Sequence, residues 1–372
     1  MDRHKFSLLI ILISFLGCSS GSNNPVPETP SEVLNDFVSS ASFQYINLDE
    51  VPVYPIVVAE QDIIYSTFDE KSVNQPLIAQ ITLFTLFRDN FYVYDRQSEG
   101  VFKLDKTGNV SGPFTRSGSG PAEHQFPGSL SSNRENIYLA DLGNARIIKF
   151  DENMKLAGYI DGYQPVGTSK ALAVNDHILL TANHRSTGFV PTHPSEGLIA
   201  VTHNNRLSDT LSVLLPRIIP PGYQPNVYNN PFFSVNLFGH IAATYHPLPW
   251  MFLFGENFEH KHTLIFQYSA FDDMDIPKLD FFKPQGNEGY GGRMPLSQFK
   301  IFDDGSLFIT IGIDLIYLRK INQNHYEAAA RYRFKADGEE EYAVINEVYK
   351  EEGVNRYYAG NWQYLFRFDL ED

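Results

Sequence analysis

GSGPAEHQFPGSLSSNRENIYLADLGNARIIKFD, residues 118–151, is the stretch on which the reading of the fold turns. Ile137, Tyr138, Leu139 and Ala140 form a β-prone apolar run. Asp141-Leu142-Gly143-Asn144 then supplies residues that tolerate positive φ and cap their own turns. Ile147 to Phe150 runs outward again, so the stretch reads as a leading Gly/Pro-rich loop followed by a hairpin. One hairpin cannot bury both of its faces in water, so it needs neighbours.

The neighbour lies directly upstream. Phe91-Tyr92-Val93-Tyr94-Asp95 matches Ile137 to Asp141, Val101-Phe102-Lys103-Leu104-Asp105 matches Ile147 to Asp151, and both offsets are 46 residues. A fixed offset carrying two strands, each followed by an aspartate, is the mark of radial repetition. Each small sheet packs face to face on the next, and a closed ring leaves few exposed edges. The expectation is an all-β chain forming a β-propeller of four-stranded antiparallel blades. About six blades can be counted, with five or seven compatible with the same parse.

Gly118-Ser-Gly120-Pro121-Ala-Glu123-His124-Gln-Phe126 together with Asn136 to Asp151 resembles an NHL-type repeat, and the whole chain is similar to the six-bladed propeller lipoproteins of Gram-negative, Bacteroidota-type bacteria. The likeness is close over residues 90–151 and only a pattern elsewhere. The upstream copy departs from it, with Ser98 and Gly100 where Asn144 and Arg146 stand, so loop roles do not transfer from NHL proteins.

The chain has 372 residues, 14% of them aromatic, with a formal charge of −15. That size suits one large β-ring. The charge would repel phosphates and argues against nucleic acid. Residues 1–18 read as a lipoprotein signal: Arg3 and Lys5 precede the apolar run Phe6 to Leu16, and Leu16-Gly17-Cys18-Ser19 resembles a lipobox. Cys18 is the only cysteine and cannot form an internal disulfide, which makes it the expected lipidation site. Residues 19–40 read as a flexible tether and 41–372 as the propeller domain. Ser19 resembles the pattern for passage to the outer membrane, with the face of that membrane left open.

Along the chain, Ser42 to Ile46 and Tyr54 to Val58 are expected as first strands, one of them closing the ring, and Ile63 to Tyr65 as part of the first blade. The Pro- and Asn-rich segment 216–233 and the segment 280–295 read as long rim loops. Glu339 to Glu352, an acidic run, is expected as a short surface helix.

Candidate chemistry is sparse. Arg116, Glu123 and His124 in one leading loop, and His184 and Arg185 after another strand, would converge on an anionic or polar ligand if blade loops meet at a rim. The competing reading is that Arg116 and Glu123 brace each other and the glycine turn. Tyr223, Tyr228 and Trp250 offer aromatic faces for a sugar ring or peptide side chain. His260 and His262, two apart on a strand, would share a face and offer two metal ligands, but no HExxH motif or carboxylate triad accompanies them. Asp95, Asp105, Asp141 and Asp151 recur with the repeat and read as turn acceptors.

No cofactor is indicated; calcium or zinc is the metal an enzymatic reading would need. The sequence therefore points to a non-enzymatic, lipid-anchored cell-envelope module binding a small molecule, a glycan or an envelope protein, with its membrane contact through the N-terminal lipid. The alternatives are a metal-assisted lyase or hydrolase on peptide or sugar substrates, and an envelope assembly scaffold.

Overall fold

The computed structural model describes residues 30–67, 77–161, 171–174, 177–181, 199–203, 206–216, 223–224, 231–245, 248–271, 283–284, 296, 298–336, 341–351 and 353–370. These residues form an all-β propeller. Six sheets have four antiparallel strands each, and two of them gain a fifth strand; two further sheets have only two strands. In chain order the six sheets begin with the strands Ile81–Phe87, Pro127–Ser132, Ala171–Val174, Pro231–Val235, Gln298–Ile301 and Glu347–Lys350. We number the sheets 1 to 6 in that order.

The organising stretch is sheet 2. Ile137–Asp141 pairs on one side with Pro127–Ser132 and on the other with Arg146–Phe150, and Leu156–Asp161 completes the sheet. Second strands are buried on both faces where their side chains are described: Ile137 to Asp141, Ile241 to Tyr245 and Leu307 to Ile311 are buried at every position. This is why those runs are continuously apolar where a surface strand would alternate.

Burial is organised by the junctions between sheets. Tyr92, Tyr94 and Val101 of sheet 1 pack on Leu130, Ile137 and Ile148 of sheet 2. Tyr138 and Ile147 of sheet 2 pack on Ala171 and Ala173 of sheet 3. Ile199 and Val201 of sheet 3 meet Phe233, Ile241 and Phe252 of sheet 4, and Met251 and Leu264 of sheet 4 meet Ile309 and Ile316 of sheet 5. Phe308 and Phe334 of sheet 5 meet Tyr357 and Phe366 of sheet 6. Tyr349 and Tyr358 of sheet 6 meet Phe84, Phe91 and Phe102 of sheet 1, so the ring closes on itself.

Closure is made by a different strand from the one expected. Ile63–Ser66 is the outermost strand of sheet 6, antiparallel to Tyr364–Asp369, rather than part of the first blade. Ser42–Asn47 and Val53–Val58 instead add in parallel to the outer edges of sheets 4 and 5, on His260–Gln267 and His325–Ala336. The N-terminal segment is thus a strap around three consecutive sheets. The Gln44 amide laces it, donating to the Tyr326 carbonyl at 2.7 Å and accepting from the Tyr326 N–H at 2.8 Å.

Two further expectations are corrected. The segment read as a tether, 19–40, ends in a helix over Pro30–Ser39 whose Leu34 and Val38 are buried at the junction of sheets 3 and 4. Apolar residues four apart are the helical signal that a Pro/Ser-rich composition masked. The acidic run 339–352 contributes no helix among its described residues; Glu347–Lys350 is the innermost strand of sheet 6. Of the two segments read as long loops, the first ends in the strand Pro231–Val235, and Tyr223–Gln224 pairs antiparallel with Lys283–Pro284 of the second.

Candidate functional site

The first strands of all six sheets surround one cavity of about 380 Å³, lined at successive levels by residues of every sheet. Six of these residues stand opposite Tyr92, Tyr138, Ile178, Ala242, Phe308 and Tyr358 of the second strands: Thr85, Ser131, Ala173, Ser234, Lys300 and Tyr349. They form a belt with one side chain from each sheet. Three of the six, Thr85, Ser131 and Ser234, are small hydroxyls that also hydrogen-bond to the neighbouring sheet.

Hydrogen bonds between neighbouring sheets follow the belt. Ser132 Oγ donates to the Leu86 carbonyl at 2.9 Å and lies 3.0 Å from Thr85 Oγ1, tying sheets 1 and 2. Ser129 exchanges two bonds with the Ala171 backbone, at 2.7 and 3.1 Å, and the Ala173 N–H donates to Ser131 Oγ at 3.3 Å. The Ile301 N–H donates to Ser234 Oγ at 3.3 Å, and Asn236 Nδ2 donates to the Phe302 carbonyl at 2.9 Å. Tyr349 donates its hydroxyl to the Phe84 carbonyl at 2.7 Å, and burial pushes that phenol well above its ordinary pKa. The Lys300 ammonium lies 4.6 Å from the centre of the Tyr349 ring, a cation held on a π face.

One mouth of the cavity, where the first strands end, is a collar of paired charges. Lys350 Nζ meets Asp304 Oδ2 at 2.5 Å, and Lys106 Nζ meets Glu351 Oε1 at 2.7 Å and Asp89 Oδ1 at 2.8 Å. Arg88 pairs with Glu152, and Asp303 accepts from the Leu237 N–H at 2.8 Å. Burial raises the Asp304 pKa, but hydrogen bonds from Lys350 and Ser306 outweigh it and hold the carboxyl below its usual range. Hydrogen bonds from Lys106 and then Tyr358 do the same for Glu351. These carboxylates are ionised and spent on bracing the ring.

Of the residues singled out in the sequence, Arg116, Glu123, His124 and Trp250 are described and do not line this cavity. Arg116 Nε donates to Glu123 Oε1 at 2.7 Å, and Glu123 Oε2 accepts from the Gly120 N–H at 2.7 Å, so this pair braces its own glycine turn. His124 is buried with Nε2 3.1 Å from Thr115 Oγ1 and Nδ1 without a hydrogen-bond partner among the described residues; burial lowers its pKa. Trp250 packs against the core between sheets 3 and 4 rather than presenting a flat surface with Tyr223. Of Tyr223 only the backbone pairing is described, and Cys18, His184, Arg185 and Tyr228 lie outside the described residues.

His260 and His262 do not share a face. The register shifts between Leu253 and Phe254, opposite these histidines. His260 stacks on Phe37 at 4.4 Å on the side of sheet 3, whereas His262 stacks on Tyr326 at 6.2 Å on the side of sheet 5. A bulge inserts the extra residue that reverses the alternation. Among the described residues no group of three or more His, Cys, Asp or Glu side chains could hold a metal ion, and no helix is long and apolar enough to cross a membrane.

The belt was missed because its members are ordinary Ser, Thr and Lys residues in separate strands. A signal existed: Thr85 and Ser131 are themselves 46 residues apart, on the same offset as the hairpins.

No family model and no curated protein matches the sequence. Among solved structures, the fold is similar to a Bacteroides fragilis protein described as exported, at 14% identity and a TM-score of 0.57, covering 89% of this chain and all of that one. A streptogramin B lyase matches at 10% identity and a TM-score of 0.44, over 81% of this chain and 86% of that one. The PQQ-bound aldose sugar dehydrogenase of Streptomyces coelicolor matches at 13% identity and a TM-score of 0.47, over 81% and 97%. At these identities the likeness to the Bacteroides protein concerns the fold alone.

Proposed function

We propose that this chain is a six-bladed propeller of the cell envelope, lipid-anchored through Cys18, that binds a small polar molecule in its central channel. The observation that carries the reading is the cavity of about 380 Å³ to which the first strand of every sheet contributes side chains. Its size falls in the range of small-molecule pockets, roughly 300 to 1,000 Å³, and its wall mixes apolar surface with a few placed polar groups. The six sheets and their six apolar junctions support a ring of six blades. The signal-like run before Cys18 supports envelope placement at the outer membrane, and the described export of the Bacteroides fragilis protein agrees with it.

A thermal-shift screen of polar metabolites and short glycans tests the channel, comparing the protein with a Val235→Trp variant that fills it. Val235 lines the cavity and is only partly buried, so the larger ring has room to enter. Compounds should raise the midpoint of the wild type and leave the variant unmoved; equal shifts in both would place binding elsewhere. Mass spectrometry of the N-terminal peptide tests the anchor, since acylation must be found on Cys18 and lost in Cys18→Ala.

A further inference from the structure

The outermost strand of a sheet leaves one row of backbone groups facing solvent, and such an edge recruits a further strand unless something blunts it. Five of the six sheets end in a blunted edge. In sheet 1 the outermost strand is Val110–Ser111, two residues long. Leu156–Asp161 of sheet 2 and Arg206–Leu214 of sheet 3 are broken by register shifts, and Ile63–Ser66 of sheet 6 is both short and shifted. Val53–Val58 on sheet 5 carries Pro55. The remaining edge, Ser42–Asn47 on sheet 4, runs in unbroken register beside residues 262–267 and contains no Pro, Gly or charged residue.

The Leu48 N–H donates to the Gln267 carbonyl at 2.8 Å. In a parallel ladder alternate residues spend both backbone groups on one neighbour, so Gln44 and Ile46 face sheet 4, and the N–H and C=O of Phe43, Tyr45 and Asn47 face away from it. No backbone hydrogen bond from a described residue reaches those outward groups. The same count on sheet 5, where the Arg331 N–H donates to the Pro52 carbonyl at 3.0 Å, puts Pro55 at an outward position. There its missing N–H takes nothing from the ladder and denies a further strand its donor.

Phe43 and Tyr45 are 52% and 58% exposed, with their rings 5.8 Å apart and edge to face. With the open backbone groups they offer an extended segment both a ladder and an apolar row. Charge decides the kind of segment. Residues 30–66, the whole strap, contain six acidic residues and no Lys, Arg or His. Asp36 before the strand and Asp49 and Glu50 after it are exposed. Lys261, whose carbonyl accepts from Ser42 Oγ, is paired with Glu259 at 2.6 Å. A second copy would set the same acidic strap against this one, between chains of formal charge −15. A cationic strand meets no such repulsion.

We propose that the free edge of Ser42–Asn47 is a docking site at which an extended, Lys- or Arg-bearing segment of another protein adds to sheet 4 as its sixth strand. The site lies on the outer edge of the ring, apart from the residues that line the channel.

The test uses the full chain with a synthetic peptide alternating Val with Lys and Thr, and a counterpart in which Glu replaces Lys. Amide hydrogen exchange read at single residues reports on the edge itself. Without peptide, Phe43, Tyr45 and Asn47 should exchange faster than Gln44 and Ile46. The Lys peptide should slow the three outward amides roughly tenfold or more and leave Gln44 and Ile46 unchanged. In isothermal titration the Glu peptide should bind roughly tenfold more weakly. Tyr45→Pro removes an outward donor, as Pro55 does on sheet 5, and should abolish binding of the Lys peptide. Tyr45→Lys changes only an exposed side chain and should weaken the Lys peptide several-fold while narrowing its lead over the Glu peptide. Val235→Trp should bind the Lys peptide as the wild type does, so this reading and the channel reading fail separately.

Outward amides as slow as their neighbours in the free chain, failure of the Lys peptide to bind, equal binding of the two peptides, or binding that leaves those amides unprotected would overturn the proposal. Unaltered binding in both Tyr45 variants would do the same. Protection that grows with protein concentration in the absence of peptide would assign the edge to a second copy, and protection by phosphatidylethanolamine vesicles alone would assign it to a lipid surface; either result refutes the cationic strand.

Discussion

Asp141 is the side chain on which the second blade hangs, and its removal has a size that the geometry sets. Its carboxylate is wholly buried and accepts from the Gln125 N–H at 2.7 Å, Asn144 Nδ2 at 2.8 Å and Arg146 Nε at 3.0 Å. Arg146 is only 14% exposed, and its Nη2 also donates to the carbonyls of Gly120 and Glu123, each at 2.8 Å. Asp141→Ala would leave a buried guanidinium without its counter-charge and a loop amide without an acceptor. Breaking such a pair from one side costs about 3 to 5 kcal/mol, and the two remaining carbonyls place this case near the lower end. For a ring of this size, at roughly 2.1 cal/mol/K of unfolding entropy per residue, about 3 kcal/mol lowers the midpoint by roughly 4 °C.

The control is Asp151→Ala. That aspartate follows the same strand pattern but accepts only the Asn153 and Lys155 amides, each at 2.8 Å, at an exposed turn. It should cost about 1 kcal/mol and roughly 1 to 2 °C. Urea titration followed by circular dichroism and tryptophan fluorescence gives both values from coincident transitions. Equal losses in the two variants, or an Asp141→Asn protein as stable as the wild type, would refute the claim that the buried ion pair sets the cost.

Three further outcomes are expected. His260 has its pKa lowered to about 4, chiefly by burial, so its neutral form is the folded one; stability from this group is present above the unfolded value near 6.5 and lost as pH falls towards 4. The midpoint should therefore drop over that window, and less so in His260→Phe, which keeps the stack on Phe37; identical slopes would count against the assignment. Tyr349→Phe keeps the ring beside Phe84 but strands the Phe84 carbonyl at the junction of sheets 6 and 1, and should cost about 1 to 2 kcal/mol in a urea titration, with a silent variant contradicting the account. A chain starting at Leu77 lacks the closing strand Ile63–Ser66 and should fail to give a monomeric, cooperatively unfolding protein by gel filtration and calorimetry; wild-type behaviour would disprove the need for that strand.

What the sequence revealed about the fold came from redundancy. The hairpin at Ile137 to Phe150 has a copy 46 residues upstream, and the apolar runs are continuous because second strands are buried on both faces. Closure was less legible because three successive N-terminal segments, Ser42–Asn47, Val53–Val58 and Ile63–Ser66, are all β-prone. Nothing local distinguishes Ile63 to Ser66, which meets the last blade, from Ser42 to Asn47, which meets sheet 4. Even inside the repeat, Gly100 replaces Arg146 for a steric reason: a Cβ there would come within 2.7 Å of Pro113 Cβ, where a neighbouring loop occupies the space of the arginine.

The site was hidden for a related reason. A clustered motif announces chemistry because its residues are close in sequence, whereas the channel takes one residue from each blade. Ser131 and Ser234 come to one level only because each stands opposite the equivalent place of its second strand, Tyr138 and Ala242. The ring needs something small or hydrogen-bonding at that level to bind its neighbour, and Thr85, Ser131 and Ser234 all meet that need. Lys300 stands at the same level with its ammonium 4.6 Å from the centre of the Tyr349 ring, a cation–π contact between sheets 5 and 6. The belt departs from small hydroxyls at Ala173, Lys300 and Tyr349, and only at Lys300 does it carry a charge, so no single stretch of sequence could have announced the level at which the six sheets meet.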